Sequence, residues 1–182
     1  MRAALSVIAR QGFDRTTVRD IAREADAAVG SVNYYFSTKD QLLAAAFEAS
    51  ETHAHARLDE IVAAALPARE KLARLVTLCF PDDSPDDPQW AIEMEVWQQA
   101  ARHAKFKELF ARGNRAWVER IAAMLEQGVA AGELDADLDV RAEACTIAAM
   151  IDGLGIYTRI TGHVAACDAR DLVVRHLDSL TA

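Results

Sequence analysis

Cysteine is scarce: three residues among 182, Cys79, Cys145 and Cys167, an odd number at wide spacings. Neither a disulfide framework nor a zinc site fits that usage, and a reducing cytoplasm is the simplest compartment. Long apolar runs are missing too, since Ala44–Phe47 and Ala63–Leu66 are both too brief for a bilayer, so no membrane partner is expected. The opening MRAALSVIARQG has no signal-peptide core or cleavage site. No alternating strand pattern, internal repeat or low-complexity tail is present. Chemistry is also short of parts. No Ser-His-Asp order stands out from chance, and no glycine-rich loop suits phosphate. His53 and His55 lie two apart on a helix and diverge, while His103, His163 and His176 are isolated, so no metal site forms. Asp135, Asp137 and Asp139 imitate the start of a calcium loop, but Val140 stands where the turn glycine must be. No enzyme, metal or cofactor is therefore expected.

A basic excess is lacking as well, with a net charge of −8. Its distribution matters more than its size. Before residue 48 there are six cations (Arg2, Arg10, Arg15, Arg19, Arg23, Lys39) against five anions (Asp14, Asp20, Glu24, Asp26, Asp40), a balance of +1. The remainder carries −9 and would repel nucleic acid away from the N-terminal part.

What the chain has in abundance is the helical period. The first helix spans about Arg2 to Gln11, with Leu5, Ile8 and Ala9 inward; Gly12 ends it and Phe13 plugs the gap behind it. Thr17 is the next N-cap, with Asp20 three residues on, near a capping-box spacing. Val18, Ile21, Ala22 and Ala25 then form one apolar face. Asp26-Ala27-Ala28 interrupts, and a short helix follows over Val29 to Tyr35 with Val32 and Phe36 inward. Two short helices across a tight bend describe a helix-turn-helix, whose second helix lies in the DNA major groove. Ser37 is the expected N-cap of a long helix to about Leu66, ended by Pro67. Helices follow at Ala68–Phe80, Trp90 to about Arg102, Lys105–Ala131 (weakened locally by Gly113 and Gly128), Val140 to about Thr161, and Asp168–Leu180. Pro81 to Gln89, rich in proline and aspartate, is the clearest loop. The Val140 helix is nearly apolar through Ala144 to Ile160, so burial on more than one side is expected. The fold class is all-α with about nine helices: a three-helix DNA-binding domain over residues 1–47, then a helical effector-binding and dimerisation domain over 48–182.

Gly12-Phe13, Thr16-Thr17, Ile21-Ala22, Ala25, Gly30, Val32, Tyr35-Phe36, Lys39 and Leu42-Leu43 stand at spacings that resemble the DNA-binding domain of TetR-type transcriptional regulators. That resemblance implies that Thr17 and nearby amides hold a phosphate, and that Arg19 reaches a guanine edge or a phosphate. It places Val29, Ser31, Asn33 and Tyr34 outward for base reading, Tyr35 and Lys39 on phosphates, and Gly30 where the helix approaches the groove. Asn33 suits adenine and Val29 a thymine methyl. Two departures matter. The family's Gly-Val-Ser turn is here Asp26-Ala27-Ala28, and Ala28 cannot cap the recognition helix as Ser would. This sequence opens almost inside the first helix, where the family has a basic arm, and a missing basic arm would lower phosphate affinity.

In the distal part the resemblance extends loosely to the choline-responsive, BetI-like branch, through Trp90–Trp97 and Ile151-Asp152-Gly153-Leu154. It implies a small-molecule effector, unidentified, with Trp90, Glu93, Met94, Trp97, Phe110 and Trp117 as wall residues. Core packing is the default reading of the same aromatics, Phe106 included. The last two helices of each chain are expected to form a homodimer bundle through Ile147, Ile151, Leu154, Ile156, Leu172, Val173, His176, Leu177 and Leu180. The expected role is a repressor that binds a near-palindromic operator as a dimer and is released by its effector. The alternatives are a dimeric all-α small-molecule-binding protein with weakened or lost DNA binding, and an all-α enzyme supported only by a pocket.

Overall fold

Runs of apolar residues at helical spacing, punctuated by Gly12, Pro67, Gly132 and Gly162, dictate an all-helical chain. The computed structural model describes residues 1–81 and 88–181. Among them are nine α-helices: α1 (Arg2–Gln11), α2 (Val18–Glu24), α3 (Val29–Tyr35), α4 (Lys39–Ala63), α5 (Ala68–Cys79), α6 (Pro88–Ala100), α7 (Ala104–Ala130), α8 (Val140–Ile156) and α9 (Ala166–Asp178). A π-helical turn, Tyr157–Thr161, continues α8 and ends at Gly162 in the left-handed conformation. The loop expected at Pro81 to Gln89 falls largely on residues 82–87, outside the described residues.

Two compact units divide the chain: Met1–Ala54 with Asp86–Gly113, and His55–Pro85 with Asn114–Ala182. In the first unit one apolar cluster joins α1 (Ala4, Val7, Ile8), Phe13, α2 (Ile21, Ala22), α3 (Val32), α4 (Leu42, Leu43, Ala46, Phe47), α6 (Ile92, Val96) and α7 (Phe106, Leu109). Each large side chain in it gains about 1.5–3 kcal/mol over exposure, so α6 and the start of α7 stabilise the three N-terminal helices. The inner face of α1 is Ala4, Val7 and Ile8, with the expected Leu5 packed at its edge and Ala9 half-buried. The N-cap of α4 is Thr38, not Ser37. Thr38 Oγ1 accepts from Gln41 N–H at 3.1 Å, while Ser37 N–H donates to the Gln41 side chain at 3.0 Å.

The second unit packs the end of α4, α5, most of α7, α8 and α9 around Leu58, Leu72, Leu75, Val76, Phe80, Ile121, Met124, Leu125, Ile147 and Ile151. Gly128 does more than weaken α7: a Cβ there would stand 2.7 Å from Leu134 Cδ1 and 2.8 Å from Ala68 Cβ. Buried Lys71 is satisfied by donating to Val62 O at 2.8 Å and to the Gln127 side chain. Arg170 donates to Phe80 O at 2.7 Å and Arg159 to Cys79 O at 3.3 Å, so two cations meet the C-terminal carbonyls of α5. In the single chain α8 keeps one side open, with Ala142, Cys145, Thr146 and Ala149 exposed. Asp139 caps its start by accepting from Ala142 N–H at 3.1 Å, and Asp135 accepts from Asp137 N–H at 2.9 Å, which gives the calcium-like segment a local role.

Candidate nucleic-acid interface

Seven residues are too few for a helix to stand alone in water, so α2 and α3 depend on their caps and on the core beneath them. The start of α2 is closed by a complete capping box. Thr17 Oγ1 accepts from Asp20 N–H at 3.2 Å, and the Asp20 carboxylate accepts from Thr17 N–H at 3.0 Å and from its hydroxyl at 2.6 Å. Those bonds, the Thr17 hydroxyl first, hold the Asp20 carboxyl below the usual carboxylate range. A carboxylate thus already engages both Thr17 donors. The bend beyond α2 is made by Asp26 at φ 49, a left-handed residue, with Ala27 N–H donating to Ala22 O at 2.9 Å. Asp tolerates that conformation better than most side chains. Ala28 stands at the N-cap of α3 and offers no side-chain bond, as its methyl group dictates.

Of α3, Val32 alone is buried, and the helix turns every other residue outward. Tyr34 is 83% exposed and Tyr35 74%, with their rings edge-on at 5.3 Å. Val29, Ser31 and Asn33 share that exposure, and a Cβ on Gly30 would touch nothing in the chain. Two exposed tyrosines beside an exposed valine are unexplained by packing and are the surface that a partner would cover.

Most of the local cations are already engaged. Arg10 pairs with Glu24 at 3.1 Å, Arg23 with Asp20 at 3.1 Å, and Arg15 donates to Gln11 O at 2.8 Å. Lys39 donates to Asp14 O at 2.8 Å and lies 4.5 Å from the Phe13 ring centroid, so its ammonium braces the α1–α2 corner. Arg19 is exposed and, among the described residues, has no hydrogen bond or ion pair.

On α6, Trp90 is buried, while Glu93, Met94 and Trp97 are half-buried. The structure brings Trp97 and Phe110 together edge to face at 5.5 Å. Trp117 belongs to the second compact unit. Along the expected dimer seam, Ile147, Ile151, Val173 and Leu177 are buried by their own chain and have no surface to give a second copy. His176 is taken up by Glu143 at 2.5 Å. Leu172 is 40% exposed, and Leu154, Ile156 and Leu180 are half-buried. Glu95 escaped the sequence reading. It accepts a hydrogen bond from Phe13 N–H at 2.9 Å, and only the Gly12-Phe13 pair hinted that something approaches that corner.

A family described as "Bacterial regulatory proteins, tetR family" matches residues 1–46, and "BetI-type transcriptional repressor, C-terminal" matches residues 67–182. The chain is 31% identical to the HTH-type transcriptional regulator BetI of Rhizobium meliloti, over 85% of this chain and 73% of that one. It is 26% identical to the HTH-type transcriptional regulator PksA of Bacillus subtilis, over 98% of this chain and 86% of that one. Among solved structures, a transcriptional regulator from Saccharomonospora viridis in complex with choline superposes with a TM-score of 0.88 at 26% identity, covering 100% of this chain and 95% of the other. With its helix-turn-helix, its helical C-terminal part and these relatives, the chain belongs to the TetR family and is a ligand-responsive, DNA-binding transcriptional regulator with a BetI-type C-terminal domain.

Proposed function

We propose that the protein acts as a homodimeric repressor whose two α3 helices enter successive major grooves of a near-palindromic operator, about one helical turn or roughly 34–36 Å apart. The observation that carries this reading is the outward face of α3, where Tyr34, Tyr35, Asn33, Ser31 and Val29 stand free on a capped and buried scaffold. Asn33 and Val29 read base edges, Ser31 and Tyr34 flank them, and Gly30 admits close approach. Tyr35 and Arg19 face phosphates, whereas Lys39 and the Thr17 donors are already held by Asp14 O and the Asp20 carboxylate and must exchange those partners to reach one. That face, together with membership of the family, favours a regulator over a small-molecule-binding protein with lost DNA function. The role is regulatory and not catalytic.

The open side of α8, formed by Ala142, Cys145, Thr146 and Ala149, continues into exposed Tyr157 and Ile160, and Leu172 of α9 is exposed as well. Small side chains let two helices approach closely, so this stripe, with Leu154 and Leu180 at its margins, is the seam of the dimer. The residues buried within one chain, Ile147, Ile151, Val173 and Leu177, set the stripe's orientation from behind. For the effector, Glu93, Met94, Trp97 and Phe110 supply a carboxylate, a thioether and paired aromatic rings, a chemistry suited to a small organic cation. Choline, present in the superposed Saccharomonospora structure, is the first compound to test. Full release needs an effector that prefers the released state by about 5.5 kcal/mol.

Selection of duplexes from a random pool tests the reading. Enrichment of a two-fold-related site, with affinity that falls as salt rises, is the expected result. No enrichment at low salt would refute it.

A further inference from the structure

Phe13 N–H lies just beyond the last turn of α1 and finds its acceptor 82 residues away, in the Glu95 carboxylate of α6, at 2.9 Å. The backbone at this corner is shaped for that approach. Gly12 adopts φ 80, ψ 158, a conformation that side chains essentially forbid. A Cβ there would stand 3.1 Å from Glu95 Oε1. The corner also sets the start of α2, because Thr16 Oγ1 donates to Gly12 O at 2.7 Å and Thr16 N–H to Phe13 O at 3.1 Å. Since α2 carries α3, the reading helix hangs from the point that Glu95 grips.

Residues two apart on a helix diverge by about 200°, so Glu95 and Trp97 face opposite ways on α6. Ile92 and Val96 anchor the same helix in the core shared with α1 to α4, while Trp97 packs on Phe110. We propose that Glu95 is a positioning residue for operator recognition: through the Phe13 amide it ties the orientation of the α2–α3 reading unit to the position of α6. It touches no DNA. This inference rests on the operator-binding reading above.

The test uses the full chain and the duplex selected by the wild type, well below the unfolding temperature. Glu95→Ala and the nearly isosteric Glu95→Met remove the acceptor, whereas Glu95→Gln keeps a side-chain carbonyl in its place. Glu95→Ala is expected to lose hydrogen-exchange protection at the Phe13 amide and to weaken operator binding roughly 5- to 50-fold. Glu95→Gln should keep most of both. A purely structural Glu95 would lower stability without coupling across α6, and Trp97→Ala separates the two cases. Its effect on operator affinity should shrink when Glu95 is already Ala or Met, a non-additivity expected only of linked sites. Additive effects, or a folded Glu95→Ala or Glu95→Met variant with an unprotected Phe13 amide and wild-type operator affinity, overturn the proposal. Where Glu95→Ala does not fold, Glu95→Met decides. A wild type that selects no duplex refutes the operator reading itself, a result distinct from a wild type that binds with Glu95 silent.

Discussion

One half-buried carboxyl shows how location outweighs residue type. Asp152 sits on α8, and burial raises its pKa to about 6. A folded pKa above the unfolded one means that the native state holds the proton more tightly. Its contribution is therefore favourable at low pH and is lost as pH rises from about 4 to 6. Asp152→Asn is expected to stabilise the protein at pH 7 by on the order of 3 kcal/mol and to give no gain at pH 4, as read from urea midpoints at both values. On the reading face, Asn33→Ala is expected to alter base preference at one operator position by roughly 1–3 kcal/mol while leaving the others unchanged. Repeating the duplex selection with the variant checks this, and an unchanged preference profile removes Asn33 from the base-reading set. That Asn33 and Tyr34 face outward was legible because Val32, the buried residue of α3, fixes which side of a seven-residue helix is inward. Glu95 was not legible, because nothing in a local window announces an acceptor for a backbone amide 82 residues away.

Among the elements, α2 is short and leans on its cap. Thr17→Ala is expected to cost about 0.5–2 kcal/mol, measured by chemical denaturation at pH 7. The cap also carries a pH signature. The Thr17 bonds depress the Asp20 carboxyl, so its stabilisation is present above the ordinary carboxylate range and is lost as pH falls through the depressed value. The acid limb of the stability curve should flatten in Thr17→Ala. In α7, Gly128→Ala is expected to raise local helix propensity yet destabilise the protein by roughly 1–3 kcal/mol, because Leu134 and Ala68 already occupy the space. A gain in melting temperature for that variant would show that α5 and α7 can separate without cost. The sequence placed most helices within a few residues, since Gly12, Pro67, Gly132 and Gly162 end them by backbone geometry alone. It misjudged the cap of α4, where Ser37 and Thr38 are both competent and only the chain's path decides between them.

At the scale of the molecule, solubility and assembly turn on what the folded chain leaves uncovered. Leu172→Glu is expected to dissociate the proposed dimer, halving the mass seen by light scattering, and to weaken operator binding far more than it weakens folding. A persisting dimer would place the seam elsewhere. The charge asymmetry read from the sequence, +1 before residue 48 against −9 after it, predicts a salt slope set by few phosphate contacts, since four of the six cations there already have partners.

The sequence alone determined the all-helical class, the helix-turn-helix and its outward face, because those follow from local periodicity, caps and turn residues. Tertiary structure decided the rest: which apolar residues of α8 and α9 are consumed within one chain, why Gly128 must be glycine, and that α6 joins the core of the DNA-reading helices. Such facts depend on which segments meet across long stretches of chain. Local spacing is silent on that, while packing and hydrogen-bond satisfaction fix it.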